Sequence, residues 1–251
     1  MAEVVLLGTG RALPAPEQEN TYMALVGEHH TVLVDCGGSP CRQLLLAGLE
    51  LDRLDTLILT HFDPDHVYGV PALLMGLWLA GRREPLDIYA LADTCELTQA
   101  MVALYRPERW PAMFAMRYHV VVPGPGTPLF DGPDFRVTAE PVQHFVPTMG
   151  VRVLNRRSGK TLAYSSDTEP CQGVLSLARG ANLLLHEAAG ETMGHSSAAQ
   201  AGAAARDAGV ARLVLVHYDA RETPPDLLEQ EARGVYNGFV RAGRDFDRFT
   251  W

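Results

Sequence analysis

Four side chains that could bind a metal ion lie within six residues of one another: His61, Asp63, Asp65 and His66. They follow the apolar run Leu57-Ile58-Leu59 after a single threonine, and an apolar helical pattern then extends from Val67 to Ala80. Histidine nitrogens and aspartate oxygens suit a borderline divalent ion such as zinc. The stretch therefore predicts a strand, a metal-binding loop and a helix. The alternative for so short a motif is a solvated polar loop.

Most of the other histidines fall in similar positions. Six of the nine are predicted at strand ends or in the loops that follow them: His61, His66, His144, His186, His195 and His217. A single histidine in such a place is usually structural, but six in equivalent places indicate that they converge on one site. We expect His29, His30 and His119 to be surface or packing residues instead.

The motifs of the chain resemble those of one enzyme superfamily. Thr60, His61, Asp65, His66 and Gly69 match the spacing of the Thr-His-x-His-x-Asp-His-x-x-Gly signature of the metallo-β-lactamase superfamily. Its later motifs resemble three further segments, which follow in the expected order: Pro141-Val142-Gln143-His144, Ser165-Ser166-Asp167-Thr168 and Val214-Leu215-Val216-His217-Tyr218. One position departs, because Asp63 stands where the signature has its second histidine.

Within that superfamily the sequence is most similar to the ribonuclease Z branch, which includes related phosphodiesterases and arylsulfatases. Leu7-Gly8-Thr9-Gly10 resembles the opening of that branch. His186-Glu187-Ala188-Ala189 is similar to its His-Glu-Ala-Thr loop, and Gly194-His195-Ser196-Ser197 is similar to its Gly-His-Ser-Thr loop. These segments are the most specific part of the resemblance.

The resemblance implies an α/β fold, namely a metallo-β-lactamase-like four-layer αββα sandwich of two mixed sheets. The residue pattern alone predicts only alternating strands and helices. We expect a single domain over residues 1–251, because no low-complexity linker divides the chain. The expected helices cover 40–49, 67–80, 93–105, 171–178, 196–208 and 225–242, with Ser39 and Asp93 as caps of two of them. Gly37-Gly38 is predicted to form a tight turn near the metal loop.

The resemblance also implies a role for each site residue. The ligands of the first ion would be His61, Asp63 and His144. Those of the second ion would be Asp65, His66 and His217. Asp167 would bridge the two ions. Two neighbouring divalent ions can activate a shared water and stabilise both oxygens of a displacement at phosphorus. Asp65 would also orient that water, and His195, supported by Glu187, would protonate the leaving group. His186 would only help to position Glu187.

Asp63 distinguishes this chain from the sequences that it resembles. Three ligand carboxylates and a bridging hydroxide would neutralise two divalent ions, whereas a histidine at position 63 would leave one positive charge. The aspartate should therefore weaken the attraction for anionic substrates and favour harder ions. We expect two divalent metal ions, with Zn²⁺ as the first choice and Mn²⁺ or Fe²⁺ as alternatives.

Charge and loop length indicate the class of substrate. The net charge is −9, from 21 basic and 30 acidic residues, and proteins that bind long nucleic acids through phosphates usually have a basic face. Only 22 residues separate His144 from Asp167, too few for the long arm with which tRNA-processing members of the branch bind tRNA. We therefore expect a small phosphodiester substrate and no large nucleic acid.

Other activities stay open from the sequence. An arylsulfatase is the nearest alternative, and a lactonase is more distant. In a different class, Asp63 could have disabled one metal position and left a non-enzymatic module that binds a metal or a metabolite. The presence of every other ligand and of His195 favours an enzyme.

Few features of the chain point to its cellular setting. The N-terminus lacks the basic region of a secretory signal, and the longest apolar run, 70–80, is too short to cross a membrane. Four scattered cysteines form no C-x-x-C pair and are expected to be free thiols in a reducing compartment. We expect a cytoplasmic protein with no membrane contact, and the resemblance leaves a homodimer open.

Overall fold

The computed structural model describes residues 2–251, which form two seven-stranded sheets. The strands are β1 (Glu3–Gly8), β2 (Tyr22–Val26), β3 (Thr31–Val34), β4 (Leu54–Leu59), β5 (Leu86–Leu91), β6 (Met116–Val121), β7 (Thr127–Asp131), β8 (Phe135–Val142), β9 (Thr148–Asn155), β10 (Thr161–Tyr164), β11 (Leu183–Glu187), β12 (Arg212–Val216), β13 (Phe239–Ala242) and β14 (Arg248–Thr250). Their order is β14-β1-β2-β3-β4-β5-β6 in one sheet and β13-β12-β11-β10-β9-β8-β7 in the other. Both sheets are mixed, since β3 to β6 and β10 to β13 pair in parallel and the remaining neighbours are antiparallel.

Helices cover the outer face of each sheet. They are α1 (Pro40–Leu46), α2 (Pro64–Val67), α3 (Val70–Leu79), α4 (Ala92–Ala103), α5 (Gln172–Ala178), α6 (Ala198–Asp207) and α7 (Pro225–Arg233). Strand β1 shows why both faces are buried: Val4 and Leu6 pack between the sheets, whereas Val5 and Leu7 pack with the helices α1, α3 and α4. A sheet covered on both faces needs such continuous apolar strands. This arrangement confirms the expected four-layer αββα sandwich.

The strands bring the candidate ligands to one edge of the sandwich. Strands β10, β11 and β12 are parallel, so their carboxyl ends lie together, and β8 runs in the same direction through its antiparallel neighbour β9. Strand β4 of the other sheet ends at the same place, where the amide N–H of Met149 donates to the carbonyl oxygen of Thr60 at 3.2 Å. Loops at this edge can therefore share one site.

A tight turn after β3 supports the metal loop. A Cβ atom on Gly37 would lie 2.0 Å from the carbonyl oxygen of Asp65, so only glycine fits there. The neighbouring N–H of Cys36 donates to the carbonyl oxygen of His66 at 2.8 Å. The predicted turn at Gly37-Gly38 is thus confirmed, and it packs against the backbone of the metal loop at Asp65 and His66.

Several predicted element boundaries are wrong. The helix expected over 67–80 is interrupted at Tyr68-Gly69, between α2 and α3. The last helix ends at Arg233 instead of Ala242, because residues 239–242 pair with β12 as strand β13. The sequence patterns also missed β7 and β14.

Of the two predicted helix caps, the position of Ser39 is confirmed and that of Asp93 is wrong. Ser39 occupies the N-cap position of α1 without a side-chain cap hydrogen bond. Asp93 lies inside the first turn of α4, whose N-cap position is Leu91. A full capping box instead begins α6, between Ser197 and Gln200.

None of the helices in residues 2–251 combines the length and apolar character that a membrane span needs.

Candidate metal centre

The first ligand group combines the loop after β4 with the loop after β8. Nε2 of His144 lies 3.2 Å from Oδ2 of Asp63, and Nε2 of His61 lies 3.6 Å from the same oxygen. Nε2 of His61 is also 3.9 Å from Oδ2 of Asp167, which follows β10. His61, His144 and Asp167 offer ligand atoms that all lie within 4.8 Å of one another. Three separate loops thus contribute to one position.

The second ligand group combines α2 with the loop after β12. Oδ2 of Asp65 lies 3.5 Å from Nε2 of His66 and 3.3 Å from Nε2 of His217. Oδ2 of Asp167 lies 3.4 and 3.3 Å from the same two nitrogens. Asp167 is therefore adjacent to both groups, as a bridging ligand must be.

Three candidate ligand atoms of the two groups lack partners although they are buried, and so does Nδ1 of His217. Nε2 of His61, Nε2 of His66 and Oδ1 of Asp167 form no hydrogen bond within residues 2–251. A buried polar atom without a hydrogen-bond partner destabilises the folded state by about 1–3 kcal/mol. Three such atoms in one place therefore indicate that a group binds there. The cluster consists of imidazole nitrogens and carboxylate oxygens, which fits a pair of divalent ions.

Contacts at Nδ1 orient three of the candidate ligand histidines. Nδ1 of His66 donates to Oδ2 of Asp35 at 3.0 Å, and Asp35 also accepts from the backbone and hydroxyl of Thr60. Nδ1 of His144 donates to the carbonyl oxygen of Gly194 at 2.7 Å. Nδ1 of His61 is 3.0 Å from the hydroxyl of Thr60. Each contact occupies Nδ1 and turns Nε2 towards the cluster, as partners of metal-binding histidines do.

Burial and neighbouring charges shift the protonation of the cluster. Burial lowers the pKa of His61, and the neighbouring His66 lowers it further, which favours the neutral imidazole that a metal binds. Burial alone would raise the pKa of Asp63, but hydrogen bonds from His144 and His61 hold it well below its usual range. Asp63 is therefore a carboxylate at neutral pH, as a metal ligand must be.

Beside the ligand groups, a buried glutamate holds a more exposed histidine. Glu187, at the end of β11, accepts hydrogen bonds from the backbone amides of Thr168, Ser196 and Ala189. Its Oε1 lies 3.1 Å from Nδ1 of His195. The His195 side chain is 19% exposed and its ring stacks on that of His217, with 5.6 Å between the centroids. His195 is thus fixed in orientation at the border between the cluster and solvent.

The structure brings together all nine predicted site residues: His61, Asp63, Asp65, His66, His144, Asp167, Glu187, His195 and His217. The expected convergence of six histidines is wrong for His186. That ring lines a separate cavity of about 280 Å³ between α5 and α6, and its Nδ1 contacts the carbonyl oxygen of Glu187 at 2.8 Å. His29, His30 and His119 lie elsewhere, as expected; His30 and His119 pair with Asp55 and Asp87.

Two residues at the site were missed by sequence reasoning. Asp35 lies at the end of β3, and its position after an apolar strand and before Gly37-Gly38 is a signal that could have identified it. Phe145 packs on the ring of His144 with 3.8 Å between the centroids. Nothing in its sequence position distinguishes it from a core phenylalanine.

Comparisons with known proteins identify the family of the chain. Residues 30–218 match the family described as the Beta-lactamase superfamily domain. The ribonuclease Z of Methanothermobacter thermautotrophicus is 31% identical over 290 aligned residues, which include 94% of this chain and 92% of that protein.

Solved structures of the same fold cover nearly the entire chain. The short form of human tRNase Z superposes with a TM-score of 0.82 at 25% identity, covering 99% of this chain and 98% of that one. The metallo-beta-lactamase fold protein YhfI of Bacillus subtilis gives a TM-score of 0.81 with the same two coverages, but at 22% identity it supports the fold alone. The chain therefore belongs to the metallo-β-lactamase superfamily, in its ribonuclease Z and phosphodiesterase branch, and is a hydrolase of ester bonds.

Proposed function

We propose that the protein is a phosphodiesterase that depends on two divalent metal ions and acts on a small phosphodiester. The observation that carries this proposal is the pair of ligand groups on either side of Asp167, with three buried ligand atoms that lack partners. Family membership supports divalent metal binding in general. The number of ions, their identity and the size of the substrate are our inferences from this chain.

The proposed roles follow from position and chemistry. Two divalent ions, when bound, would lower the pKa of a water and stabilise the charge on the phosphoryl oxygens. Asp65 lies beside Asp167 and would hold the attacking water in line. His195 would donate its proton to the leaving alkoxide from the nitrogen opposite Nδ1, because Nδ1 faces Glu187 at 3.1 Å. Glu187 would act by fixing the imidazole and stabilising its protonated form.

The preference for a small substrate rests on what lies between His144 and Asp167. That segment contains strands β9 and β10 and the turn that joins them, with no projecting arm among the described residues. The alignment with the archaeal ribonuclease Z spans 290 positions, more than the 251 residues of this chain, so that relative contains segments without a counterpart here. Both observations favour a substrate that does not need a long clamp.

Asp63 supports a preference for harder ions at the first position. Its carboxylate faces both His61 and His144, so this position would have more oxygen ligands than one built from histidines alone. Oxygen ligands suit Mn²⁺ and Fe²⁺ better than nitrogen ligands do, and Zn²⁺ accepts either. We therefore expect Zn²⁺ at the second position, with Mn²⁺ or Fe²⁺ competing at the first.

The alternatives from the sequence differ in their support. A non-enzymatic module is disfavoured, because the chain belongs to a hydrolase family and retains a complete set of candidate ligands. An arylsulfatase or lactonase would use the same centre, and assays with sulfate esters and lactones would identify either one. The homodimer stays a prediction, supported by exposed leucines on the neighbouring helices α1 and α3: Leu45, Leu46 and Leu79.

Turnover of bis(p-nitrophenyl) phosphate tests the proposal. We expect protein reconstituted with Zn²⁺ or Mn²⁺ to release p-nitrophenol, and Asp65→Ala to lower kcat/KM by about 100-fold or more, as loss of a metal ligand should. Asp93→Ala is the matched control, because Asp93 is an exposed carboxylate in α4 outside the site. Equal turnover by the two variants would contradict the proposed role of Asp65.

A further inference from the structure

Phe145 presents an unusually exposed aromatic ring at the candidate metal centre. Its side chain directly follows the ligand His144, and the two ring centroids are 3.8 Å apart at an interplanar angle of 39°. The ring of His195 lies 6.4 Å away in an edge-on orientation. Phe145 is nevertheless 58% exposed. One side of its ring is thus covered by the ring of His144, while much of the side chain is open to solvent beside the candidate metal ligands.

The position of this ring is fixed by the loop before α6. A Cβ atom on Gly194 would lie 2.7 Å from Cδ1 of Phe145 and 2.7 Å from Nδ1 of His144, so the backbone approaches both rings closely. Gly194 has a φ of +82° and donates its N–H to Oε1 of Glu169 at 2.8 Å. The ring therefore rests on a hydrogen-bonded backbone segment, which limits its freedom before any ligand binds.

A second exposed apolar side chain belongs to the backbone segment that approaches this ring. Met193 precedes Gly194 and is 80% exposed. In contrast, Phe62, in the loop that carries His61 and Asp63, is partly buried and packs with the core under the helices. The loops of this site can therefore bury a phenylalanine, but Phe145 and Met193 stay exposed. Exposed apolar groups beside a polar centre are typical of a binding surface.

We propose that Phe145, bordered by Met193, forms a subsite on which a planar aromatic group of the phosphodiester stacks. This inference rests on the proposed function and adds the chemical class of the substrate. Offset or edge-on aromatic contacts form at centroid distances of about 4.5–7 Å, which an ester bound at the neighbouring His144 could satisfy. The aromatic group can belong to a nucleobase or to a simple aryl ester. Methionine sulfur also packs favourably against either kind of ring.

Three esters with one leaving group test the subsite and distinguish the two sources. Thymidine 5′-(p-nitrophenyl phosphate), phenyl p-nitrophenyl phosphate and methyl p-nitrophenyl phosphate all release p-nitrophenol, so only the retained group differs. For each aromatic ester, the measured quantity is the ratio of its kcat/KM to that of the methyl ester. In Phe145→Ala we expect this ratio to fall about tenfold for the thymidine ester or for the phenyl ester. The ester whose ratio falls more identifies the preferred source.

Two further variants separate stacking from simple shielding of His144. Phe145→Trp should keep the preference for the aromatic ester, whereas Phe145→Leu covers His144 but should lose the preference. Metal content is measured for each variant, because loss of a shielded ligand would lower it. Unchanged substrate ratios in Phe145→Ala, or equal ratios in the leucine and tryptophan variants, would overturn the proposal.

A binding measurement keeps the inference separate from the proposed function. Calorimetry with thymidine 5′-monophosphate, phenyl phosphate and methyl phosphate needs no turnover. For the metal-loaded protein, we expect the affinity for thymidine 5′-monophosphate or phenyl phosphate, relative to methyl phosphate, to fall about tenfold in Phe145→Ala. That result without hydrolysis of any ester would support the subsite while contradicting the phosphodiesterase. Unchanged relative affinities would overturn the subsite even if hydrolysis is observed.

Discussion

At the scale of single residues, Asp63→His tests the position at which this chain departs from the family signature. The substitution would restore the ligand type of the family signature and add one positive charge to the centre. When apo-protein is loaded in an equimolar mixture of Zn²⁺ and Mn²⁺, we expect the variant to bind a smaller share of Mn²⁺ than the wild type, because imidazole favours Zn²⁺. Elemental analysis of the loaded protein measures that share.

The substrate range of the same variant provides a second readout. The added charge should lower KM for anionic diesters by about two- to tenfold, as a stronger local field attracts anions. An unchanged Mn²⁺ share together with an unchanged substrate range would show that Asp63 does not tune the centre.

Individual residues at the site differ in how far the sequence predicts them. The histidines and aspartates of the motifs could be identified because their types and spacing are local properties of the chain. Phe145 could not, because its exposure and fixed position depend on Gly194, which lies far along the chain and approaches only in the folded state. The orientation of His66 by Asp35 is a similar long-range contact. The candidate ligands can thus be identified from the sequence, whereas the groups that orient them cannot.

At the scale of elements, long apolar runs predicted strands well and charged segments predicted helix ends poorly. The strand Phe135–Val142 was predicted with its observed bounds. The segment 225–242 reads as helical, but it contains Gly234 and Gly238, and its last apolar residues gain more by pairing with β12. The turn at Gly37-Gly38 could be predicted because two glycines stand between a strand and a helix. What it touches, the carbonyl oxygen of Asp65, required the fold.

Gly37→Ala tests whether that turn supports the metal loop. The new methyl group would lie 2.0 Å from the carbonyl oxygen of Asp65, so the backbone of the loop must move. We expect the free energy of unfolding to fall by about 1–3 kcal/mol, as in other overpacked sites, and metal affinity to fall with it.

Gly132→Ala is a suitable control for Gly37→Ala, because a Cβ atom there meets only ordinary contacts of 3.7 Å or more. Its stability should stay within about 0.5 kcal/mol of the wild type. Urea unfolding of both variants measures the difference. Equal stabilities of the two variants would show that the close approach at Gly37 does not constrain the loop.

At the scale of the whole molecule, the net charge and the length of one connecting segment are the features that bear on the size of the substrate. The chain has a net charge of −9 and lacks a projecting arm between His144 and Asp167 within the described residues. Both features could be predicted from the sequence, because they are counts of residues. The layered architecture could not be derived from counts and came from family resemblance, which the two seven-stranded sheets confirm.

A comparison of substrates tests the consequence of that charge. We expect cleavage of a precursor tRNA to be at least about 100-fold slower, in kcat/KM, than hydrolysis of a small nucleotide diester under the same metal conditions. The excess of acidic over basic residues weakens the attraction for the phosphates of a long RNA. Parallel assays at about 50 and 200 mM salt measure both rates and their salt dependence. Efficient precursor cleavage with a steep salt dependence would contradict the small-substrate assignment.

We propose that hydrolysis depends on two ions held on either side of Asp167. Apo-protein prepared with a chelator and titrated with Zn²⁺ or Mn²⁺ tests it directly, with bis(p-nitrophenyl) phosphate as substrate. We predict no turnover without metal and a rise that ends at about two equivalents per chain, as two complete ligand groups require. Full turnover by the metal-free protein, or no turnover after two ions have bound, would contradict the proposed dependence on two metal ions.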